Sequence, residues 1–410
     1  MTTSLTRRSL LGLTLGAAAF LVPPRPTLAQ KSSLAFDKWV ERFRKRALAR
    51  GISPAVYDRV MNGLKPDISV YALDRAQPEF KEKPWQYLNR RVSDWRISTG
   101  QERAKQYAKL LERIEAKYGV DRYIMLGLWG MESAFGDVAT NPKHMRPVFP
   151  ALAALAWGEP RRRSYWEQEL LNALVIVERG WARPGDMIGS WAGAMGHTQW
   201  MPEVWLNMGV DFNGNGKISP FGAPDDALAG TARYILQRGN YRKGEGWGYE
   251  VVLPKGVSPS ARGMLSIAAW AKRGIKRANG KPFPHSDEKA RLWQPMAKGP
   301  VLLITRNFDA VKSYNPSNLY ALAICYLGDQ IAGEEPFVKP FPGGERPLTL
   351  AEVQEIQRRL TDAGFNTGGT DGRVGQDTMR AVRAFQIKAG IKPADGYPGL
   401  KVLARARKGL

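Results

Sequence analysis

The sequence predicts a mainly α protein with a minor β-sheet, closed by a small three-helix C-terminal domain. Three observations carry this. Apolar residues recur at helical spacing through most of the first 332 positions. Strand-like material is confined to two short runs, Tyr249–Leu253 and Val301–Thr305. A segment dense in proline and glycine, residues 333–347, reads as a linker, and the stretch 348–410 beyond it has its own helical pattern.

Taken in order, the first thirty residues read as an export signal. Arg7 and Arg8 precede an apolar run, Leu10 to Val22, too short to span a bilayer comfortably. Thr27-Leu-Ala29 offers a small-residue cleavage site, so a periplasmic location with cleavage near Ala29 is expected. Twin arginines fit the Tat route; a Sec signal with two arginines reads the same. No cysteine follows the run, which excludes a lipoprotein anchor. Cys325 is the sole cysteine, so no internal disulfide exists.

Residues 31–332 follow as the main body. Phe36, Trp39, Val40, Phe43 and Ala47 mark a helix ended by Gly51, and Ser53-Pro54 starts another. Tyr107, Leu110, Leu111, Ile114 and Tyr118 mark a third. Residues 151–181, 227–236 and 319–331 also read helical. In the last domain, 348–360 and 378–388 are helices separated by the turn Asp371-Gly-Arg-Val-Gly375, and Asp395-Gly-Tyr-Pro-Gly399 repeats that turn before a final short helix.

The net charge of +23 and a pI near 10.1 favour an anionic partner. No zinc-finger spacing or nucleic-acid signature selects nucleic acid. An anionic polymer is the remaining candidate besides a membrane surface.

The chemistry points to residues 123–136. Glu132 is the one charge between Arg122 and Asp137. Met125, Leu128, Trp129 and Glu132 share one helix face, so the carboxyl belongs to an apolar surface. Such burial raises a carboxyl pKa and suits a general acid for a glycosidic oxygen. A glutamate paired with one of the many arginines fits the same spacing. Asp137 reads as structural.

A second stretch is Gly189-Ser-Trp-Ala-Gly-Ala-Met-Gly-His-Thr-Gln-Trp-Met-Pro202. With Glu132-Ser-Ala-Phe-Gly136 it resembles the signatures of the lytic murein transglycosylase B family. Leu73-Asp-Arg-Ala-Gln-Pro-Glu-Phe80, Val92-Ser-Asp-Trp-Arg-Ile-Ser-Thr-Gly100 and Ser313-Tyr-Asn-Pro-Ser-Asn-Leu-Tyr-Ala321 resemble it too, in its order. The C-terminal motifs Val353-Gln-x-Ile-Gln357, Asp371-Gly-x-x-Gly375 and Ala381-Val-x-x-Phe-Gln386 are similar to a peptidoglycan-binding domain.

The resemblance implies a lysozyme-like catalytic domain. It implies cleavage of the MurNAc–GlcNAc bond of peptidoglycan by one acid/base, Glu132, giving a 1,6-anhydro sugar. Ser133, Ser190, Met195, Gln199, Tyr314, Asn315 and Tyr320 would surround the sugar. Ser133 could instead cap the helix, Met195 could be packing and Tyr320 a core residue. Trp200 stands where the family usually has phenylalanine and could alter the cleft wall. His197 either lines the cleft or lies at the surface. The expected partner is the glycan strand, whose stem peptides carry carboxylates. Other wall-building or wall-cutting proteins are further candidates; nucleic acid and a membrane anchor are not expected. A hydrolytic muramidase and a non-catalytic wall scaffold are the rival readings.

No cofactor is needed for such chemistry, but Asp211-Phe-Asn-Gly-Asn-Gly-Lys217 begins like a calcium loop. Oxygen donors would be Asp211, Asn213, Asn215 and the Lys217 carbonyl, with Asp225 replacing the usual closing glutamate. A metal-free Asn-Gly turn satisfies the same residues.

Overall fold

The computed structural model describes residues 28–75, 82–139 and 141–409. The expected export signal lies outside them up to residue 27, as does the end of the 73–80 motif. No helix among the described residues is long and apolar enough to cross a membrane.

The first helices are α1 (Leu28–Ala49), α2 (Pro54–Met61), α3 (Val70–Arg75), α4 (Pro84–Arg91), α5 (Asp94–Gln106) and α6 (Ala108–Tyr118). Helix α1 crosses the expected cleavage point and stops two residues before Gly51, whose φ is 89°. Ser53 caps α2 as expected, accepting from the Val56 amide at 3.3 Å. Next come α7 (Arg122–Ser133), α8 (Val148–Gly158) and α9 (Arg163–Glu178). The 151–181 stretch, which reads helical, is two helices. Pro160 has no amide hydrogen to continue the ladder and opens a short 3-10 turn between them.

Helices α10 (Pro202–Met208), α11 (Asp225–Gln237), α12 (Ile267–Lys272), α13 (Arg306–Lys312) and α14 (Asn318–Ala332) complete the body. A two-stranded pair joins β1 (Arg146–Pro147) to β2 (Ile188–Gly189). The main sheet holds β3 (Gly248–Val252), β4 (Leu265–Ser266), β5 (Lys276–Arg277), β6 (Lys289–Trp293) and β7 (Val301–Thr305). Its order is β4-β6-β7-β3-β5, antiparallel throughout. All five β7 residues are buried, which is why its apolar run was legible as a strand.

Two large cores flank the region that matters. One packs α4, α6, α7, α11, α13 and α14; the other packs α1, α2, α8, α9 and α10. Helices α7 and α14 meet backbone to backbone. A Cβ on Gly127 would stand 2.3 Å from the Ile324 carbonyl oxygen, and one on Gly328 2.7 Å from that of Tyr123. Only glycine permits that approach.

The C-terminal part is α15 (Leu350–Asp362), α16 (Gln376–Lys388) and α17 (Leu400–Arg407) around a core of Val353, Ile356, Leu360, Val382, Phe385 and Leu403. Its two Asp-Gly turns are built alike. Gln357 accepts from the Gly372 amide at 2.8 Å and Gln386 from the Gly396 amide at 2.7 Å. Each glutamine also donates to the turn's aspartate, Asp371 at 3.4 Å and Asp395 at 3.0 Å.

The 333–347 segment, read as a linker, is laid down on the body. Phe337 stacks on Tyr326 at 4.4 Å, and the Val338 and Lys339 amides donate to Glu250. The C-terminal domain is seated as well. Gln86 donates to Asp395 at 2.8 Å, Asn89 to the Tyr397 hydroxyl at 3.0 Å, and the Leu350 amide to Asp94 at 2.8 Å. Trp85 meets Tyr397 edge-on, and the Arg373 guanidinium lies 4.4 Å over Trp95 and 3.5 Å from Asp137. Apolar and aromatic contacts hold the segment down, so proline and glycine here set its path.

Candidate active site

Helix α7 starts at Asp121, whose carboxylate accepts from the Tyr123 and Ile124 amides. It ends abruptly after Glu132 and Ser133, because Ala134 and Phe135 both adopt left-handed backbone, φ 53° and 60°. The Phe135 ring folds back over the helix at Gly130 and meets Trp129 edge-on at 5.8 Å. Strained backbone of this kind costs roughly 1–3 kcal/mol per residue and persists where packing over-determines it. Here it halts the helix beside the acid.

Met125, Leu128 and Trp129 are buried, and Glu132 is half-buried at the end of their face. The Tyr320 hydroxyl of α14 donates to its carboxylate. Burial, then the nearby Glu132 charge, pushes the Tyr320 hydroxyl well above its ordinary pKa. Tyr314 is raised for the same two reasons, in the same order. Both phenols therefore keep their protons as donors. Tyr314 donates to the Thr198 carbonyl at 2.6 Å, joining the α13–α14 turn to the 189–202 loop.

That loop is stitched to α7 from the other side. The Trp129 indole donates to His197 Nδ1 at 3.2 Å, and His197 Nε2 donates to the Gly222 carbonyl at 2.8 Å. Burial holds the imidazole below its usual pKa, consistent with this neutral tautomer. The Ser133 hydroxyl donates to the His197 carbonyl and accepts from the Gly136 amide. His197 is thus neither cleft wall nor free surface but the seam between the two motifs. Gly196 can lie there because a Cβ would stand 2.1 Å from the Pro220 carbonyl oxygen.

The structure brings Glu132, Tyr320, Tyr314 and the Thr198–Gln199 backbone together. Gln199 has φ 53°, is half-buried, and donates back to the Gly196 carbonyl at 3.0 Å. Ser190 opens the loop, its hydroxyl accepting from the Ala194 amide at 3.2 Å. Asn315 shapes the turn into α14 by accepting from the Ser317 amide. Ser133 and Met195 are fully buried, so neither has surface to offer a sugar. Met195 instead exchanges two backbone hydrogen bonds with Trp200. Trp200 is fully buried too, donating to Thr231 at 2.9 Å, so it does not form the cleft wall.

Asp137 pairs with Arg103 at 3.9 Å and with Arg373 at 3.5 Å, in keeping with a structural role. Sequence reasoning missed Tyr234, edge-on to Tyr314 at 5.1 Å, and Tyr165, an exposed ring beneath the Arg162 guanidinium. Tyr234 sits in an ordinary helical pattern and Tyr165 in a basic run, so neither carried a signal.

The Asp211 loop is self-satisfied. Asp211 accepts from the Gly214, Asn215 and Gly216 amides, Asn213 from Asn215, and Asn215 from Lys217. The sequence reading closes it with Asp225; the structure closes it with the buried Asp226, which accepts from the Phe212 and Ser219 amides. Asp225 begins α11 one position earlier, so the two residues lie on different sides of the helix start. The donor set is all oxygen and Asp211 keeps one of about four lone-pair positions free, which fits a weakly held hard cation.

Glu169 of α9 is buried and accepts from the Glu203 amide at the start of α10. Burial pushes its carboxyl up to about 7, and burial does the same to Asp329, also to about 7. A carboxyl raised on folding stabilises fully below its unfolded pKa, and that contribution is lost as pH rises through the folded value. Glu169→Gln is therefore expected to be more stable than the parent at pH 8 by about 3 kcal/mol, with the difference vanishing near pH 4. Melting curves from pH 4 to pH 8 check this; parallel curves would refute it.

A family model described as a transglycosylase SLT domain matches residues 35–329, and one described as a putative peptidoglycan-binding domain matches 349–405. The chain belongs to the SLT transglycosylase family. It is a peptidoglycan lytic transglycosylase of lysozyme-like fold. This transglycosylase is 29% identical over 283 residues to membrane-bound lytic murein transglycosylase B of Escherichia coli K12, covering 67% of this chain and 73% of that one. SltB3 from Pseudomonas aeruginosa, solved with NAG-anhNAM-pentapeptide and with NAG-NAM-pentapeptide, is 39% identical at TM-score 0.70, over 91% of this chain and 99% of that one. Escherichia coli Slt35, solved in complex with calcium, is 25% identical at TM-score 0.59, over 73% of this chain and 92% of that one.

Proposed function

We propose that this transglycosylase works in the periplasm after export and cleaves the MurNAc–GlcNAc β-1,4 bond with Glu132 as its one acid/base. The observation that carries the reading is the Tyr320–Glu132 hydrogen bond at the mouth of an apolar helix face. Glu132 protonates the leaving glycosidic oxygen. As carboxylate it then takes the proton of the muramyl 6-hydroxyl, which closes onto carbon 1. Tyr320 orients the carboxyl and donates to it when it is charged. This route needs no second carboxylate, against the two that hydrolysis usually employs. The half-buried Ser190, Gln199, Tyr314 and Asn315 supply polar and aromatic groups for the sugar. Mass spectrometry of sacculus digests is expected to find chain ends one water lighter than hydrolysis products. Reducing ends would overturn the anhydro route and favour a muramidase.

Calcium is proposed as a structural ion held by Asp211, Asn213, Asn215 and the Lys217 carbonyl, without Asp225. Calcium at about ten times its dissociation constant should stabilise the protein by about 1.4 kcal/mol. Asp211→Ala should abolish that gain and lower the calcium-free stability by about 1–3 kcal/mol, from three lost charge-assisted bonds. A melting temperature indifferent to millimolar calcium would leave the turn alone.

A further inference from the structure

A cavity of about 510 Å³ lies away from the candidate active site, at the far ends of the two helices that meet there. Asp121 and Tyr123 at the start of α7 and Asp329 near the end of α14 form one wall. Tyr123 stands nine residues before Glu132 and Asp329 nine after Tyr320, or about 14 Å along each helix axis. Strand β3 and the first residues of the 333–347 segment, Phe337 among them, form the other sides.

The chain carries 61 basic against 38 acidic residues, yet this lining inverts the balance. Asp121, Glu245, Glu250, Asp329, Glu334 and Glu335 face one guanidinium, Arg277, and one imidazole, His285. Arg277 is engaged elsewhere: it donates to the Pro282 carbonyl at 3.1 Å and lies 5.3 Å over the Tyr249 ring. The charge is not met from within. Glu245 Oε2 is buried and has no hydrogen-bond partner among the described residues, a costly state for a carboxylate oxygen. Both Asp329 oxygens accept from the Trp247 indole at 3.0 Å, and burial still holds that carboxyl up at about 7. Tyr123, Trp247 and Phe337 line the same space, and aromatic faces attract ammonium groups and pack against methylenes.

No three acidic or histidine side chains among the described residues converge to hold one metal ion. The carboxyls are spread along the cavity, which suits a ligand whose own positive groups are spaced along a chain. We propose that this cavity binds a small linear polyamine. Its ammonium groups meet Asp329 and Glu245 inside and Glu334 or Glu335 at the mouth, while its methylenes lie against Trp247 and Phe337. A neutral sugar lacks the charge, and a compact dication cannot reach carboxylates that stand apart. Because Phe337 belongs to the segment that runs on to the C-terminal domain, a bound polyamine joins that segment to α7 and α14.

The test titrates the full chain with spermidine by isothermal titration calorimetry in about 0.15 M salt, where loose surface pairing is screened. The net charge of +23 repels a polycation from the surface at large, so binding reports a specific site. One spermidine per chain is expected. Asp329→Asn and Glu245→Gln are each expected to weaken binding about tenfold, through loss of a charge-assisted bond. Asp186→Asn, which removes an exposed carboxyl paired with Arg183, should bind like the parent. Circular dichroism checks that each variant is folded, and Glu245→Gln carries the test alone should Asp329→Asn unfold. No binding at millimolar spermidine, or cavity variants that bind like the parent, would overturn the site. Magnesium bound as tightly as spermidine would overturn the polyamine as its ligand. A lysine-rich peptide bound more than about tenfold tighter than spermidine would replace the small molecule with a protein partner.

Discussion

Glu132→Gln is expected to leave the protein folded and to lower cleavage by about 10⁴-fold, the upper part of what general acid–base catalysis supplies. The amide keeps the shape of the carboxyl, and its carbonyl oxygen can still accept from Tyr320. What it cannot do is release a proton to the glycosidic oxygen or take one from the 6-hydroxyl. Both halves of the proposed reaction therefore stop together. Initial rates on purified sacculi, with circular dichroism as the control for folding, read the effect. Substantial activity in the folded variant would remove Glu132 from the mechanism.

Gly127→Ala is expected to be the most damaging small change away from the chemistry. Its Cβ would stand 2.3 Å from the Ile324 carbonyl, and that neighbour is backbone of a buried helix that cannot swing aside. Helices α7 and α14 must then separate. Overpacking a core costs about 1–3 kcal/mol, and a backbone collision between two central helices belongs at or above the upper end. Because α7 carries Glu132 and α14 carries Tyr320, their hydrogen bond should go with it. A urea midpoint shared with the parent would mean that the helices can slide past each other.

Much of this site was legible because its signal is local. Glu132 stands alone in fourteen residues without another charge, and the glycines around it follow from short-range geometry. The helices with wide apolar faces were legible for the same reason. Strand β6, Lys-Ala-Arg-Leu-Trp, was not, because only Ala290 and Leu292 turn inward and the others are charged or half-exposed. Asp226 was passed over for Asp225 because adjacent aspartates look alike until the helix start fixes which one faces the loop. His197 was ambiguous since its partners, Trp129 and the Gly222 carbonyl, are distant in sequence. The docking of Arg373 between Trp95 and Asp137 spans more than 230 positions, and no periodicity reports a contact of that kind.

That docking changes what the C-terminal domain is for. A module on a loose leash lets a catalytic group sample every bond within reach, and the cuts scatter. A module bolted at Gln86, Asn89, Asp94 and Trp95 keeps a constant distance between whatever it grips and Glu132. The molecule then behaves as a caliper, with the gap between its two jaws set by helices α4 and α5.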